Sequence, residues 1–467
     1  MPFFNMMMIG AHFLWVPLHF LNQQWSLSTL AYIFGVAGAA RLITVPFINR
    51  FGDWSWCLLG IPAWALTLWL CLSNEDDPIP LYVCIPFMQV SNCVLPIQGL
   101  IQLKYTATTS AAPAKSDDAE TKGNSNSNSK GKPSTIKPTK TTLNHHQAAL
   151  RIFTASETLG YALATLFGGI VMEFGGGWRS CAWVQLAWLS LQCIVFLTSP
   201  TVHDDFRKCF IEGEKEAEEQ KEKVSSAHVD APQLTIDSTT IVLVNGIEME
   251  MSDKELFLYI KTDLFVLLCA HSINVLAYSI EFALFAVYFK QIFQWSSSWT
   301  GAAQMSGDLL AACVLFGSVC QKSTTSDPDP DPGPGRTTCI GALLKPPVNI
   351  SIMLLSVVLL YALICVPIFA VAVIAQILMG SCYVFGLQAC NEYFTLLSYG
   401  SRTMYRRITF YGRIFYDISF ALAGFLGLFI YDKIDPKASF WMVVGLAFVM
   451  TITYTVKMTY FSKGRGV

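Results

Sequence analysis

The chain has 467 residues, of which 53% are hydrophobic and only 14% are charged. Soluble domains usually carry about 25% charged residues, so this composition predicts an integral membrane protein. The net charge of −2 is uninformative about nucleic acid, but the sequence contains no aromatic–basic RNA-binding box, so we expect no nucleic-acid partner. The 14 cysteines stand mostly singly in apolar stretches, without CxxC pairs or metal-ligand spacing. They are typical of small buried side chains, so we expect no metal and no cofactor.

Apolar stretches of roughly 20 residues, the length that spans a bilayer as a helix, recur along the whole chain. They predict an all-α membrane protein with twelve transmembrane helices. The expected spans lie near 3–22, 27–47, 54–73, 80–103, 153–174, 178–198, 262–286, 298–320, 348–367, 368–395, 408–431 and 437–459.

The loops alternate in charge, which orients the predicted helices. The loops after even-numbered helices, the adjoining helix ends and the C-terminal tail hold 26 of the 31 lysines and arginines. We call this the basic side. On the other side, the loops "NQQWS" and "SNEDDP" contain no cation. The positive-inside rule therefore predicts cytosolic termini, and it names no host membrane, whether plasma or organelle.

Three polar segments interrupt the predicted helices on the basic side. The N-terminal bundle, residues 1–198, contains an insert at 104–150 whose low-complexity run "KGNSNSNSKGKP" predicts disorder. The central loop, residues 199–255, contains Asn245-Gly246 between two β-prone runs, the usual sequence of a small hairpin. The C-terminal bundle, residues 256–467, contains a proline-rich insert at 321–346.

An internal repeat relates the two halves. "RIFTASETLGYALATLFGG" begins at Arg151 and reaches Gly168 after seventeen residues, and "RITFYGRIFYDISFALAGF" reaches Gly424 from Arg407 after the same interval. Many secondary transporters contain such weak internal symmetry. The repeat favours two pseudo-symmetric six-helix bundles, although chance similarity between apolar helices is the alternative.

A short motif follows the second predicted span and has a partial copy after the eighth. "VPFINRFG" places Asn49, Arg50 and Gly52 beyond Val45, and "GSVCQK" places Gln321 and Lys322 beyond Gly317. With six spans on each side of a long loop, the chain resembles the major facilitator superfamily. That family carries glycine, three residues, aspartate, arginine, one residue and glycine between its second and third helices. The resemblance implies a gating role for these residues, with an amide replacing the acid in both copies.

Polar stripes on predicted helices identify candidate residues for a solute cavity. His271, Asn274, Tyr278 and Glu281 follow steps of three and four on the seventh span, which keeps them on one helical face. The first span, the symmetry mate of the seventh, has a similar stripe. Helix packing is the alternative reading of each stripe. The cavity candidates are His12, Trp15, His19, Gln89, Asn92, His271, Asn274, Tyr278 and Gln388.

Two carboxylates are candidates for coupling transport to protons. An ionised acid near mid-membrane costs roughly 2.5–3.5 kcal/mol, so Asp308 must pair, accept hydrogen bonds or stay protonated. The alternative to a proton-carrying role for Asp308 is a structural hydrogen bond with Gln304. For Glu281 the alternative is partial hydration near the end of its helix. Arg413 and Asp417, four residues apart, predict a structural ion pair. For Arg41, inside the second span, we expect one of two roles. It binds an anionic solute, or its long side chain extends (snorkels) to the basic side.

Taken together, the sequence predicts a secondary active transporter, a monomer in the lipid bilayer, that moves a small-molecule solute by alternating access, with protons as the candidate coupling ion. The alternative is a non-transporting membrane receptor or scaffold of the same fold that acts through its cytosolic inserts. Catalytic residues are not predicted, because no HExxH, GxSxG or P-loop arrangement stands in a suitable context. We therefore do not expect an enzyme.

Overall fold

The structure, a computed structural model, describes residues 2–51, 54–90, 140–175, 177–198, 239–244, 247–324, 346–398 and 402–461. Within these residues it contains twelve helices and one β-hairpin. The helices are α1 (Pro2–Asn22), α2 (Leu27–Phe51), α3 (Trp54–Leu72), α4 (Ile79–Val90), α5 (Lys140–Phe174), α6 (Trp178–Thr198), α7 (Asp253–Phe293), α8 (Ser297–Thr324), α9 (Pro346–Ile364), α10 (Phe369–Leu397), α11 (Arg402–Lys433) and α12 (Ala438–Phe461).

Seven helices in the described part of the chain are long and apolar enough, by length and composition, to cross a membrane. They are α2, α5, α7, α9, α10, α11 and α12. The sequence predicted twelve spans. The helix α4 is short because the description stops at Val90, whereas α6 and α8 contain many polar residues, such as Gln185 and Gln304, that lower their mean hydropathy. The described part of the protein is thus helical apart from one β-hairpin, and several of its helices are suited to a bilayer.

Several helices extend further on the basic side than the predicted spans. The helix α5 begins at Lys140, so the last eleven residues of the insert predicted to be disordered are helical, and residues 104–139 lie outside the described chain. The helix α7 begins at Asp253, where Ser252 and Glu255 form a capping box. A hydropathy pattern marks only the part of a helix that contacts lipid, which is why these polar turns were missed.

The hairpin consists of β1 (Thr239–Val244) and β2 (Ile247–Ser252). Its strands pair antiparallel, with Val244 opposite Ile247 and Thr239 opposite Ser252. The register brackets the Asn245-Gly246 turn that the sequence predicted, although these two residues are outside the described part. The hairpin leads directly into α7.

The motif after α2 is more helical than the sequence suggested. The second predicted span ended near residue 47, but α2 continues to Phe51, so Asn49 and Arg50 lie in its last turn. Gly52 lies outside the described residues. Gln321 and Lys322 occupy the corresponding last turns of α8, and most of the proline-rich insert is not described. The motif copies therefore lie at equivalent helix ends, which fits the predicted internal repeat.

Two long seams join the N-terminal helices to the C-terminal ones. In one seam α2 packs along α11, and in the other α5 packs along α8. Glycines allow the close approach: a Cβ on Gly424 would lie 2.6 Å from Cβ of Phe34, and one on Gly169 would lie 2.5 Å from the Ser297 carbonyl oxygen. Small residues bring backbones together where helices meet in lipid. Both seams are therefore intimate contacts.

The helix contacts correspond when each helix is exchanged with the one six places away. This exchange turns the α2–α11 seam into the α8–α5 seam. It also relates the α1–α5 contact to α7–α11, and the α3–α6 contact to α9–α12. The helices α1 and α7 contact each other and so form a pair that the exchange leaves unchanged. The largest buried cluster of apolar side chains includes residues from all twelve helices.

Candidate functional site

The polar stripe of α7 faces α10 in the interior. The Asn274 side-chain nitrogen lies 3.4 Å from the backbone oxygen of Tyr383, and the Gln376 side-chain nitrogen donates to Glu281 Oε1. The His271 ring packs against Phe394, with ring centroids 5.7 Å apart. All of these polar side chains are buried. The structure thus brings the stripe predicted on α7 together on one inward face.

Asp308 and Glu281 lie at similar depths. Asp308 is eleven residues from the start of α8 and Glu281 is twelve residues from the end of α7, so each lies about 17 Å from the side opposite the basic side. That depth is near the middle of a hydrocarbon core about 30 Å thick. Each residue is only 2% exposed. Asp308 Oδ1 and Glu281 Oε2 accept no hydrogen bond within the described chain, and neither residue forms an ion pair there.

Three tyrosines surround these carboxyls. Tyr278 lies one turn before Glu281 on α7. Gly380, one turn before Tyr383 on α10, adjoins Asp308, because a Cβ on this glycine would lie 3.4 Å from Asp308 Oδ1. The rings of Tyr278 and Tyr383 stack within 8° of parallel, and Tyr161 lies 6.2 Å from Tyr278 between ring centroids. We call Tyr161, Tyr278, Glu281, Asp308, Gln376 and Tyr383 the central cluster. It draws on α5, α7, α8 and α10 and therefore spans both halves of the chain.

The polar stripe of α1 does not reach the central cluster. His12 Nδ1 lies 3.1 Å from the side-chain nitrogen of Gln185 on α6, and the Trp15 ring packs against Trp178 at 6.3 Å. His19 also packs against Trp178. The stripe is buried against α6, so our prediction that it lines a cavity facing the other half does not describe this conformation. The opposite face of α1 is aromatic, and Phe13 contacts Phe282 and Phe420 across the halves.

The remaining cavity candidates have separate positions. Gln89 on α4 is buried, and its side-chain oxygen and nitrogen accept and donate no hydrogen bond among the described residues. Asn92 lies outside the described part. Gln388 is on α10, nearer the basic side than Gln376, where its side-chain oxygen accepts from Thr154 Oγ1 at 2.9 Å. Gln388 therefore belongs to a contact between the halves at some distance from the central cluster.

That contact includes an ion pair between the halves. Arg151 of α5 donates from Nε to Glu392 Oε1 of α10 at 2.8 Å, and the Gln388 amide donates to the same oxygen at 3.0 Å. The four side chains Arg151, Thr154, Gln388 and Glu392 form what we call the basic-side latch. Its helices approach the basic side here, and its charges are nearly buried. Of these four residues, only Gln388 was predicted as a candidate from the sequence. The ion pair could not be predicted, because Arg151 and Glu392 are 241 residues apart.

A second charge cluster crosses the α2–α11 seam. Asp417 contacts Arg41 and Arg413, each at 3.0 Å, and the Arg41 guanidinium lies 4.4 Å from the centroid of the Phe420 ring. The Arg413–Asp417 pair was predicted from its spacing, but its third member was not. Arg41 is buried against α11 and does not extend to the basic side, so the expectation of snorkelling was wrong.

The side opposite the basic side is also closed by contacts between the halves. Lys290 at the end of α7 donates to the side chain of Asn22 at the end of α1. The backbone nitrogen of Ser298 on α8 donates to Glu173 on α5 at 2.9 Å. We expected a solute cavity at the centre, but packed tyrosines fill this region. Contacts join the halves on the basic side and on the opposite side. The structure therefore has the form of a closed state.

Breaking the basic-side latch should open that end of the molecule. Glu392→Gln removes the charge that holds Arg151, and a hydrogen bond to a charged group contributes about 1.5–3 kcal/mol. We expect the open form to become about 10- to 100-fold more populated relative to the closed form. Distances between spin labels at Ile152 of α5 and Leu396 of α10 measure this shift.

The charge-swapped variant Arg151→Glu with Glu392→Arg is the matched control for the latch. It retains an ion pair at the same place, so it should restore most of the closed population. Equal distance distributions in the parent and in Glu392→Gln would show that the latch does not hold this end shut.

The helix order and the two seams give a fold that is similar to those of several solved membrane transporters. The alignment with the nucleoside transporter NupG covers 98% of this chain and 97% of the NupG chain, with a TM-score of 0.57 and 10% sequence identity. The alignment with the peptide transporter POT covers 99% of this chain and 93% of the POT chain, with a TM-score of 0.59 and 11% identity. The alignment with the human organic anion transporter MFSD10 (TETRAN) covers 97% of each chain, with a TM-score of 0.56 and 12% sequence identity. No family model matches the chain, and no curated protein matches it by sequence.

Proposed function

We propose that this chain is a secondary active transporter that moves a small solute across a membrane by alternating access, coupled to protons. Residues 1–198 and 256–467 form two six-helix bundles with all twelve helices spanning the bilayer. The termini are cytosolic, and the protein works as a monomer. The observation that carries the proposal is the central cluster: two carboxyls without a cationic partner are buried at mid-depth between the halves of a transporter fold.

The arrangement of contacts supports alternating access in particular. The halves are held together near the basic side by the Arg151–Glu392 pair and near the other side by the Lys290–Asn22 and Glu173–Ser298 contacts. Rocking of the bundles about the seams can break one set while the other persists. Because the central cluster lies between the two sets, a solute bound there would reach one side at a time.

Asp308 is the preferred proton carrier, and Glu281 is the second candidate. The Gln376 amide donates to Glu281 Oε1, whereas Asp308 Oδ1 accepts no hydrogen bond from the described residues. A buried carboxyl without donor or cation is expected to hold a proton until the site opens to water.

Uptake into proteoliposomes tests the proposal. The purified protein is supplied with a panel of nucleosides, dipeptides, organic anions and organic amines, at equal pH and with a pH difference across the membrane. At least one solute should accumulate, and the pH difference should change its accumulation. A further variant without residues 110–135, which precede α5, should keep its flux. Failure of every solute in correctly folded protein would favour the receptor or scaffold alternative.

A further inference from the structure

The central cluster contains two carboxyls, Asp308 and Glu281, without a matching cationic side chain among the described residues. Among the described residues, the buried arginines at the seams already have acidic partners: Arg41 and Arg413 contact Asp417, and Arg151 contacts Glu392. Asp308 and Glu281 form no ion pair within the same part of the chain. A buried carboxylate is costly unless it is paired. A cation entering the cluster would therefore be stabilised, and an anion would be repelled.

The hydrogen-bonding atoms that lack partners are mainly acceptors. Three buried oxygens of the cluster, Asp308 Oδ1, Glu281 Oε2 and Gln376 Oε1, accept no hydrogen bond within the described chain. Their side chains are each 2% exposed. One unpartnered nitrogen lies nearby, on Gln304, one turn before Asp308 on α8. Buried acceptors without donors are unfavourable, so they call for a ligand that brings N–H groups.

The walls of the cluster are aromatic. Tyr161, Tyr278 and Tyr383 lie beside the carboxyls. The rings of Tyr278 and Tyr383 stack on each other, and Phe282 stacks on Tyr161 at 4.4 Å between centroids. Ring faces attract ammonium groups, and the same rings pack against the apolar part of a ligand. The charges, acceptors and rings thus point to a single chemical class.

We propose that the central cluster binds a protonated primary or secondary amine that carries an aromatic group. Its ammonium lies against Glu281, donates to the free oxygens of Glu281 and Gln376, and faces the rings of Tyr278 and Tyr383. The inference rests on the proposed transport function only for the movement of this ligand, because binding itself needs no transport. In the closed structure the rings of Tyr161, Tyr278 and Tyr383 fill the site. Separation of the halves moves Tyr161 of α5 away from the other two rings, and the ligand enters there.

Four related probes separate the possible ligand chemistries. The first is 2-phenylethylammonium, which has a charge and N–H donors. Its N,N,N-trimethyl analogue keeps the charge without donors, 2-phenylethanol keeps the shape without charge, and 3-phenylpropionate reverses the charge. Binding to the purified full-length protein is measured by the shift of its thermal unfolding midpoint and by calorimetry. We expect the ammonium to bind best, the trimethyl analogue about tenfold or more weakly, and the other two not measurably.

Variants of the cluster localise the binding. Glu281→Gln should weaken binding of 2-phenylethylammonium about 10- to 100-fold, the range for a hydrogen bond to a charged group. Tyr278→Phe should change it little, because the ring face is retained, whereas Tyr278→Leu should weaken it about 3- to 30-fold. Asp432→Asn removes an acid on α11 far from the cluster, beside Lys433, and serves as the matched control.

Each outcome bears on the proposal separately from the proposed function. Tighter binding of 3-phenylpropionate or 2-phenylethanol than of the ammonium overturns the amine inference, and transport of a neutral or anionic solute would leave the transport proposal standing. Binding that Glu281→Gln and Asp432→Asn affect equally overturns the assigned site. Binding of the ammonium without any flux in proteoliposomes would support the site and count against transport.

Discussion

Replacing Asp417 with Asn is expected to be the most destabilising single change of a charge in the described chain. Asp417 is fully buried and contacts both Arg41 and Arg413 at 3.0 Å. Removing its charge leaves two guanidinium groups buried without their shared partner. Breaking a buried pair in this way costs about 3–5 kcal/mol. The expected result is a lower thermal unfolding midpoint in detergent and a smaller yield of folded protein.

Asp432→Asn is the control for this experiment. Asp432 lies on the same helix and pairs with Lys433 at 3.1 Å, but the lysine side chain is 53% exposed. Exposed pairs contribute about 0–1 kcal/mol, so this variant should unfold close to the parent. Adding Arg41→Gln to Asp417→Asn removes one of the two cations that shared Asp417 and should recover part of the loss. If Asp417→Asn were as stable as Asp432→Asn, the seam would not depend on this cluster.

Asp308→Asn is expected to abolish proton-driven accumulation. One pH unit across the membrane supplies about 1.4 kcal/mol per proton, which can sustain about tenfold accumulation of the solute. An amide cannot carry the proton, so the variant should let solute equilibrate at about equal concentrations. Exchange of solute inside for solute outside should persist, because it needs no net proton movement. Uptake and exchange are compared in proteoliposomes with and without the pH difference.

The two measurements separate coupling from damage to the protein. A misfolded variant would lose exchange together with accumulation, whereas loss of the carrier affects only accumulation. Asp432→Asn should behave as the parent in both. An Asp308→Asn variant that concentrates solute as well as the parent would rule out this residue as the carrier, and Glu281→Gln would then be the variant to compare.

Much of the fold could be predicted from local properties of the sequence. The spacing of apolar stretches located the helices, because a bilayer demands about 20 apolar residues for each span. The Asn245-Gly246 turn marked the hairpin, because few other dipeptides adopt its backbone angles so readily. The helix ends were less accurate, as at Lys140 and Asp253, because a polar helical turn outside the lipid leaves no mark in the hydropathy.

The candidate site could be predicted only in part. The stripe from His271 to Glu281 showed which face of α7 is polar, since residues three and four apart share a side of a helix. The same reasoning suggested a cavity on α1, where His12 and Trp15 instead pack against α6. A polar face is buried wherever it finds partners, and those partners, such as Gln185 and Trp178, come from another part of the chain.

The sequence by itself determined that the chain is a multi-helix membrane protein and that Asp308 and Glu281 lie inside two of its helices. Composition and periodicity are local properties, so they can be read residue by residue. Only the tertiary structure decided that Arg151 contacts Glu392, that Arg41 shares Asp417 with Arg413, and that tyrosines lie beside Asp308 and Glu281. These contacts join helices far apart in the chain, and their geometry depends on how closely the glycines at the seams let those helices approach.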